Sequence, residues 1–288
     1  MKAIHPSPVL QALTVALRDA NAVPAFTCYD FDTALAVVDA AEGAGFPVIL
    51  NVAPKVAASR MGQRLICALR ALADDAFVPV GVQLDHASDL DVIASSVRSG
   101  ADMVLADGSA LSFEDNIALV LRAREKVGPD VVLEAELGGL AGDEDRAFTL
   151  GVDSQDAAGL THPEQVPEFV ERTGAQLLAV SIGNVHGKYT GAPRIRWDIL
   201  ERIHTDCAVP LVLHGASGIP EGDLRRAVTL GVAKVNVNTE LRTAVLQRVQ
   251  AQVAAQRADG ENLLGLLNEW RAAAHGVAAG VAAALNAT

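Results

Sequence analysis

The sequence predicts a (β/α)8 barrel, and three observations carry the prediction. Short apolar runs alternate with amphipathic helical segments along most of the chain. Several runs are unbroken Val, Ile and Leu, the pattern of parallel strands covered on both faces. No Gly-x-Gly-x-x-Gly turn follows the first strand, which weakens the nearest rival, an open doubly wound sheet.

The expected strands are Val23–Cys28, Pro47–Val52, Val80–Asp85, Met103–Ala106, Val131–Glu136, Leu177–Ile182, Pro210–His214 and Ala233–Val237. Between them the spacing of apolar residues predicts helices over Thr33–Ala44, Arg60–Ala73, Asp89–Arg98, Phe113–Val127, Pro163–Thr173, Ile195–Ile203 and Pro220–Leu230, with an eighth after Thr239. Gly45, Gly100, Gly174 and Gly231 stand where four of these helices should stop. Thr161 followed by Glu164 has the form of a capping box, with Pro163 in the first helical turn.

Two segments exceed the minimal barrel. Leu137–Leu160, rich in glycine and acidic residues, is too long for a simple connection and is a candidate mobile lid. Beyond about Arg257 an alanine-rich tail follows Gly260, expected as a packing helix or an oligomer contact. No linker marks a second domain, so residues 1–288 are expected as one barrel domain with 243–288 as a C-terminal helical extension.

At 288 residues the chain is near the upper limit for a single core. Half of it is hydrophobic and only 4% aromatic, which suits buried strands and alanine-lined helices better than a sandwich. A net charge of −12 argues against nucleic acid or an anionic membrane surface as partner. Phosphate remains admissible, because backbone N–H groups at helix starts hold it without bulk positive charge. The N-terminus has no apolar signal core and no run reaches a membrane span, so the cytoplasm is the expected location. Cys28, Cys67 and Cys207 are isolated, and read as buried thiols of a reducing compartment.

The chemistry gathers at strand ends. His86, His186 and His214 each fall where a strand gives way to its loop, and in a parallel barrel those ends share one face. Three imidazoles with an open fourth position is the ligand count of a catalytic zinc. His5, His162, His204 and His275 lie in a tail, a cap or helical surface and are left as ordinary residues. Asp85 adjoins His86 but points to the other side of an extended backbone. It is either a cap or orienting partner, or a proton carrier beside a metal-bound substrate oxygen. Asp107 ends the fourth strand; Glu134 and Glu136 end the fifth. Their spacing of two puts both glutamates on one face, costly for unpaired buried charges, and a nearby cation is the simplest remedy. Asp107 or Glu136 could equally orient a ligand histidine. Gly215-Ala216-Ser217-Gly218 and Asn236-Val237-Asn238-Thr239 follow strands seven and eight, the usual phosphate loops of this barrel. Lys234 lies early in strand eight, on the wrong end of the barrel to join them.

These stretches resemble the class II, metal-dependent ketose-bisphosphate aldolases, which include fructose- and tagatose-bisphosphate aldolases. The resemblance runs from about Ala25 to Arg242. It rests on Leu84-Asp85-His86, Glu134-Ala135-Glu136-Leu137-Gly138, Asp143-Glu144-Asp145, Gly183-Asn184-Val185-His186-Gly187, His214 to Gly218 and Asn236 to Glu240. It implies a lyase releasing dihydroxyacetone phosphate and an aldehyde from a ketose 1,6-bisphosphate or 1-phosphate, foremost fructose 1,6-bisphosphate. It implies zinc on His86, His186 and His214, with Asp107 and Glu136 at an alternative or second divalent position. Asp85 would carry the C4 hydroxyl proton and Glu144 the C3 proton. Gly187, Gly215, Ala216, Ser217, Asn236, Val237, Asn238 and Thr239 would contact the substrate and its phosphate. A monovalent cation (Na+ or K+) near the phosphate and a homodimer or homotetramer are implied too. A polarising zinc supplies several kcal/mol of stabilisation to a developing enediolate.

The chain departs from the family pattern at Thr27 and Asp30, where amides are usual, at Gln83 in place of His, at Ala87 in place of Gly, at Val52-Ala53-Pro54 in place of a Ser-containing stretch, and at Thr190 in place of Lys. Ala216 is reminiscent of tagatose-type members and Asn238 of fructose-type ones. A deoxy or otherwise modified ketose phosphate is therefore a serious variant. Two readings of other classes are a non-catalytic phosphosugar-binding barrel and a barrel isomerase or decarboxylase.

Overall fold

A computed structural model describes residues 7–140, 149–150, 159–189 and 191–286. Its centre is a closed barrel of eight parallel strands in sequential order. They are β1 Val23–Thr27, β2 Val48–Val52, β3 Val80–Ala87, β4 Met103–Ala106, β5 Val132–Leu137, β6 Leu177–Val180, β7 Leu211–Leu213 and β8 Val232–Val237. β8 pairs with β1 in parallel to close the cylinder, which excludes the open sheet.

The helices are α1 Pro8–Arg18, α2 Phe31–Ala44, α3 Pro54–Ala57, α4 Arg60–Asp75, α5 Leu90–Arg98, α6 Phe113–Val127, α7 Val166–Thr173, α8 Trp197–Asp206, α9 Glu221–Thr229, α10 Thr239–Ala258 and α11 Leu263–Leu285. α2 and α4 to α10 follow successive strands, and α11 packs on α2 and α10. Asp30 caps α2, its carboxylate accepting from the Thr33 amide and hydroxyl, both at 2.8 Å. One departure from the family pattern thus serves the helix start. The Thr161 capping box does not form. Its hydroxyl instead donates to the Leu137 carbonyl and accepts from the Ser181 amide, tying β5 to the segment after β6.

The barrel interior divides into two halves. The N-terminal half is apolar and closed by α1, whose Val9, Leu13 and Ala16 pack on Val23, Ile49, Met103, Val132, Leu177 and Val212. α1 has no counterpart in the sequence expectations. Gly81 makes room for it: a Cβ there would lie 3.1 Å from Val9 and 2.8 Å from Met103. The C-terminal half is filled by Asn51, Gln83, Asp85, Glu134, Glu136, His214, Lys234 and Asn236, all buried. The expectation of buried thiols holds at Cys28, is met in part at the half-buried Cys207, and fails at Cys67. It sits one position beside the buried stripe of Ile66, Leu69 and Ala73 and is exposed.

Candidate metal centre

The three strand-end histidines meet. Ligand atoms of His86, His186 and His214 lie within 4.8 Å of one another, and the ring centroids of His86 are 5.0 and 4.6 Å from those of His186 and His214. Simple strand alternation does not bring His86 here, because it would send Asp85 and His86 to opposite faces. The β3–β4 register shifts between Leu84 and Ala87, and His86 adopts the left-handed backbone at φ 49°. This bulge turns His86 into the mouth of the barrel while Asp85 keeps its inward direction. His214 is brought in by the next residue: a Cβ on Gly215 would strike the Val185 carbonyl, so only glycine lets the two loops approach. Asn184 secures the same contact, donating to the His214 carbonyl at 2.9 Å.

Carboxylates surround the imidazoles. His86 Nδ1 lies 2.8 Å from Asp107 Oδ2 and 3.3 Å from Glu136 Oε2. Glu136 Oε2 is also 3.6 Å from His214 Nδ1. His214 Nε2 contacts Glu134 Oε1 at 3.0 Å. Both geometries left open are thus present: Asp107 is hydrogen-bonded to His86 and orients it, and Asp107, Glu136 and His86 form a second triad of potential ligand atoms within 4.8 Å.

The two glutamates of β5 face the same interior and solve their burial differently. Glu134 meets Lys234 Nζ at 2.9 Å; burial would raise its carboxyl, but the Lys234 charge and the His214 hydrogen bond hold it at about 2. Among the described residues Glu136 has no ammonium beside it. Burial, then the charge of Asp107, push its carboxyl well above the usual range. Burial, then its histidine neighbours, hold His186 well below the ordinary imidazole value. Burial and the charge of His86 outweigh the Glu134 contact at His214, which is lowered too. Burial works against ionised Asp107, yet the His86 hydrogen bond and charge win and keep it low.

This donor set fits a divalent ion. His214 Nδ1 and Glu136 Oε2 are buried without a hydrogen-bond partner among the described residues, and they lie 3.6 Å from each other. Neutral imidazoles backed by carboxylates are the ligands zinc takes.

Asp85 lies beside this cluster, wholly buried. Its Oδ2 accepts from Asn51 Nδ2 and Asn236 Nδ2, each at 2.9 Å, while Oδ1 has no hydrogen-bond partner among the described residues. Gly187, Gly215, Ser217, Asn236, Asn238 and Thr239 line one cavity with Thr27 and His186. Ala216 and Val237 do not join them; both side chains lie in the hydrophobic core. Glu144 and Thr190 fall outside the described residues.

The sequence reading missed Asn51, the lone amide inside the apolar run Val48–Val52, which was the available signal. It also misplaced Lys234. That side chain points into the barrel at the level of Glu134 and Asn236 instead of toward the far end.

The model of the class II fructose-bisphosphate aldolase family matches residues 7–287. D-tagatose-1,6-bisphosphate aldolase subunit GatY of Klebsiella oxytoca is 44% identical over 233 residues, 81% of each chain. The YdjI aldolase of Escherichia coli K12 superposes with TM-score 0.83 at 31% identity, covering 96% of both chains. A candidate fructose-1,6-bisphosphate aldolase of Coccidioides immitis superposes with TM-score 0.84 at 28% identity, covering 99% of this chain and 97% of that one.

Proposed function

Since the chain belongs to the class II fructose-bisphosphate aldolase family, a family of carbon–carbon lyases of carbohydrate metabolism, we propose that it cleaves a ketose 1,6-bisphosphate to dihydroxyacetone phosphate and an aldehyde at a zinc held by His86, His186 and His214. The convergence of those three side chains on one point carries the reading. Bound there, zinc supplies Lewis acidity that draws electrons from the substrate ketone. Asp107 and Glu136 offer the alternative or second divalent position.

Asp85 is the proton carrier at the C4 hydroxyl. One oxygen is clamped by two amides and the other is left open, as a base needs. Gly187, Gly215, Ser217, Asn238 and Thr239 hold the phosphate, beside the start of α10 at Thr239, with the main chain of Ala216 and Val237 completing the two loops. Asn236 serves both the substrate and Asp85. Glu144 carries the C3 proton, and a sodium or potassium ion sits near the phosphate. The enzyme works as a cytoplasmic homodimer or homotetramer. Among the described residues no helix is long and apolar enough to cross a membrane.

The GatY relative favours D-tagatose 1,6-bisphosphate as the first substrate to try, with D-fructose 1,6-bisphosphate, its C4 epimer, beside it. A second reading, a ketose 1-phosphate with an unphosphorylated aldehyde half, is favoured by one observation. A cavity of about 180 Å³ adjoins the site at Thr27; Tyr29, Leu241, Val245, Leu246 and Trp270 make its lining mainly apolar, and its two charged residues, Asp30 and Arg242, are of opposite sign and leave no net positive charge for a second phosphate. A panel of ketose phosphates differing at C4 and at the terminal phosphate, assayed for dihydroxyacetone phosphate, tests both. Cleavage of one or more members is expected; no turnover of any would overturn the proposal.

A further inference from the structure

Lys234 is fully buried, touches nothing that reacts, and lies between two parts of the site. Its ammonium donates to Asn236 Oδ1 at 2.8 Å and pairs with Glu134 Oε2 at 2.9 Å. An ammonium is donor only, so it fixes which way round the Asn236 amide stands: oxygen to Lys234, nitrogen to Asp85. Turned over, the amide would aim its carbonyl at a carboxylate. Asn236 Nδ2 accordingly reaches Asp85 Oδ2 at 2.9 Å.

The other arm runs to a metal ligand. Glu134 receives Gln83 Nε2 at 2.9 Å, the Lys234 ammonium, and His214 Nε2 at 3.0 Å. The Gln83 amide nitrogen and the Lys234 ammonium can only donate, and the ion pair with Lys234 calls for Glu134 as a carboxylate, an acceptor alone. That carboxylate requires the proton of His214 on Nε2, 3.0 Å away, which leaves the lone pair on Nδ1, the nitrogen 3.6 Å from Glu136 Oε2. Atoms of Asp85, Glu134 and His214 also lie within 4.8 Å of one another, but Lys234 already supplies the cation at Glu134.

Resting on the reading of His214 as a zinc ligand and Asp85 as the proton carrier, we infer that Lys234 is a positioning residue that orients both at once, His214 through Glu134 and Asp85 through Asn236. It belongs to neither group it aligns. The pairing joins three strands, β5, β8 and β3, into one polar unit beneath the reacting centre.

The test is Lys234→Met, with zinc affinity measured by competition against a chelating dye and no substrate present. Affinity should fall about 10- to 100-fold. At saturating zinc, kcat should fall at least about tenfold and KM should rise by a smaller factor, since of the residues given to the substrate only Asn236 loses a partner. Should the single variant fail to fold around an unpaired Glu134, Lys234→Met with Glu134→Gln removes that charge, and the same two losses are expected. A merely structural lysine would lower the melting temperature and leave zinc affinity and kcat of the folded protein unchanged; that result overturns the inference. A crystal structure of the zinc-loaded wild type checks it without any variant: His214 should bind through Nδ1, and binding through Nε2 would overturn it. Because zinc affinity is read without substrate, loss of affinity in the variant together with an inactive substrate panel would reject the proposed reaction and leave the orienting of His214 by Lys234 standing.

Discussion

Replacing Asp85 by asparagine separates proton transfer from metal binding. In the wild type Oδ2 accepts from Asn51 and Asn236 at 2.9 Å each, and Oδ1 is open. Hydrogen bonds to a charged acceptor contribute roughly 1.5–3 kcal/mol, and those to a neutral one roughly 0.5–1.5. Exchanging carboxylate for amide therefore costs about 1 kcal/mol per bond, about 2 in all. Relief from burying a charge offsets part of that. At roughly 2–4 °C per kcal/mol for a chain of this size, the melting temperature should drop by less than about 10 °C. The protein stays folded, and zinc content stays at the wild-type level because the three imidazoles keep their places. An amide cannot take up the hydroxyl proton, so turnover should fall about 10²- to 10⁴-fold. The assay couples dihydroxyacetone phosphate release to NADH oxidation, with zinc by elemental analysis on the same sample. Turnover within tenfold of wild type, or loss of zinc along with activity, would refute the role given to Asp85.

Chelator treatment should abolish cleavage and zinc or cobalt should restore it; activity that survives exhaustive metal removal would exclude the metal-dependent reading. Glu144→Gln should slow turnover about 10²-fold or more with zinc content intact, and wild-type rates would remove Glu144 from the reaction. Glu136 ionises well above its ordinary value of 4.5 in the folded, metal-free protein. The unfolded chain loses that proton first, so folding is penalised as pH rises past about 4.5. Metal-free Glu136→Gln should then be more stable than metal-free wild type at pH 7, with the gap closing below about pH 4.5 in urea titrations; a pH-independent gap would contradict this. Leu13→Ala, at the buried contact of α1 with the barrel floor, should cost about 2–5 kcal/mol without changing zinc affinity. A loss under about 1 kcal/mol would show that α1 does not close the barrel.

All eight strands could be read from the chain because several are unbroken apolar runs and the others, though they carry polar residues into the barrel, keep a short apolar stretch. The positions of His86, His186 and His214 at strand ends followed from that, since parallel strands deliver their C-terminal ends to one rim. α1 escaped because an eleven-residue amphipathic helix acquires its meaning from the barrel floor it covers. The turn of His86 into the site escaped as well, since a bulge arises between two strands and is not a property of one.

The sequence by itself determined the strand count, the fold class and the candidate ligand histidines, because periodicity and strand ends are local properties. Only the tertiary structure decided the state of the two β5 glutamates. Lys234, a hundred positions away in the chain, neutralises Glu134, while Glu136 is left facing the imidazoles. Which buried charge finds a partner depends on how β5 and β8 face one another across the barrel, and that is fixed only when the cylinder closes.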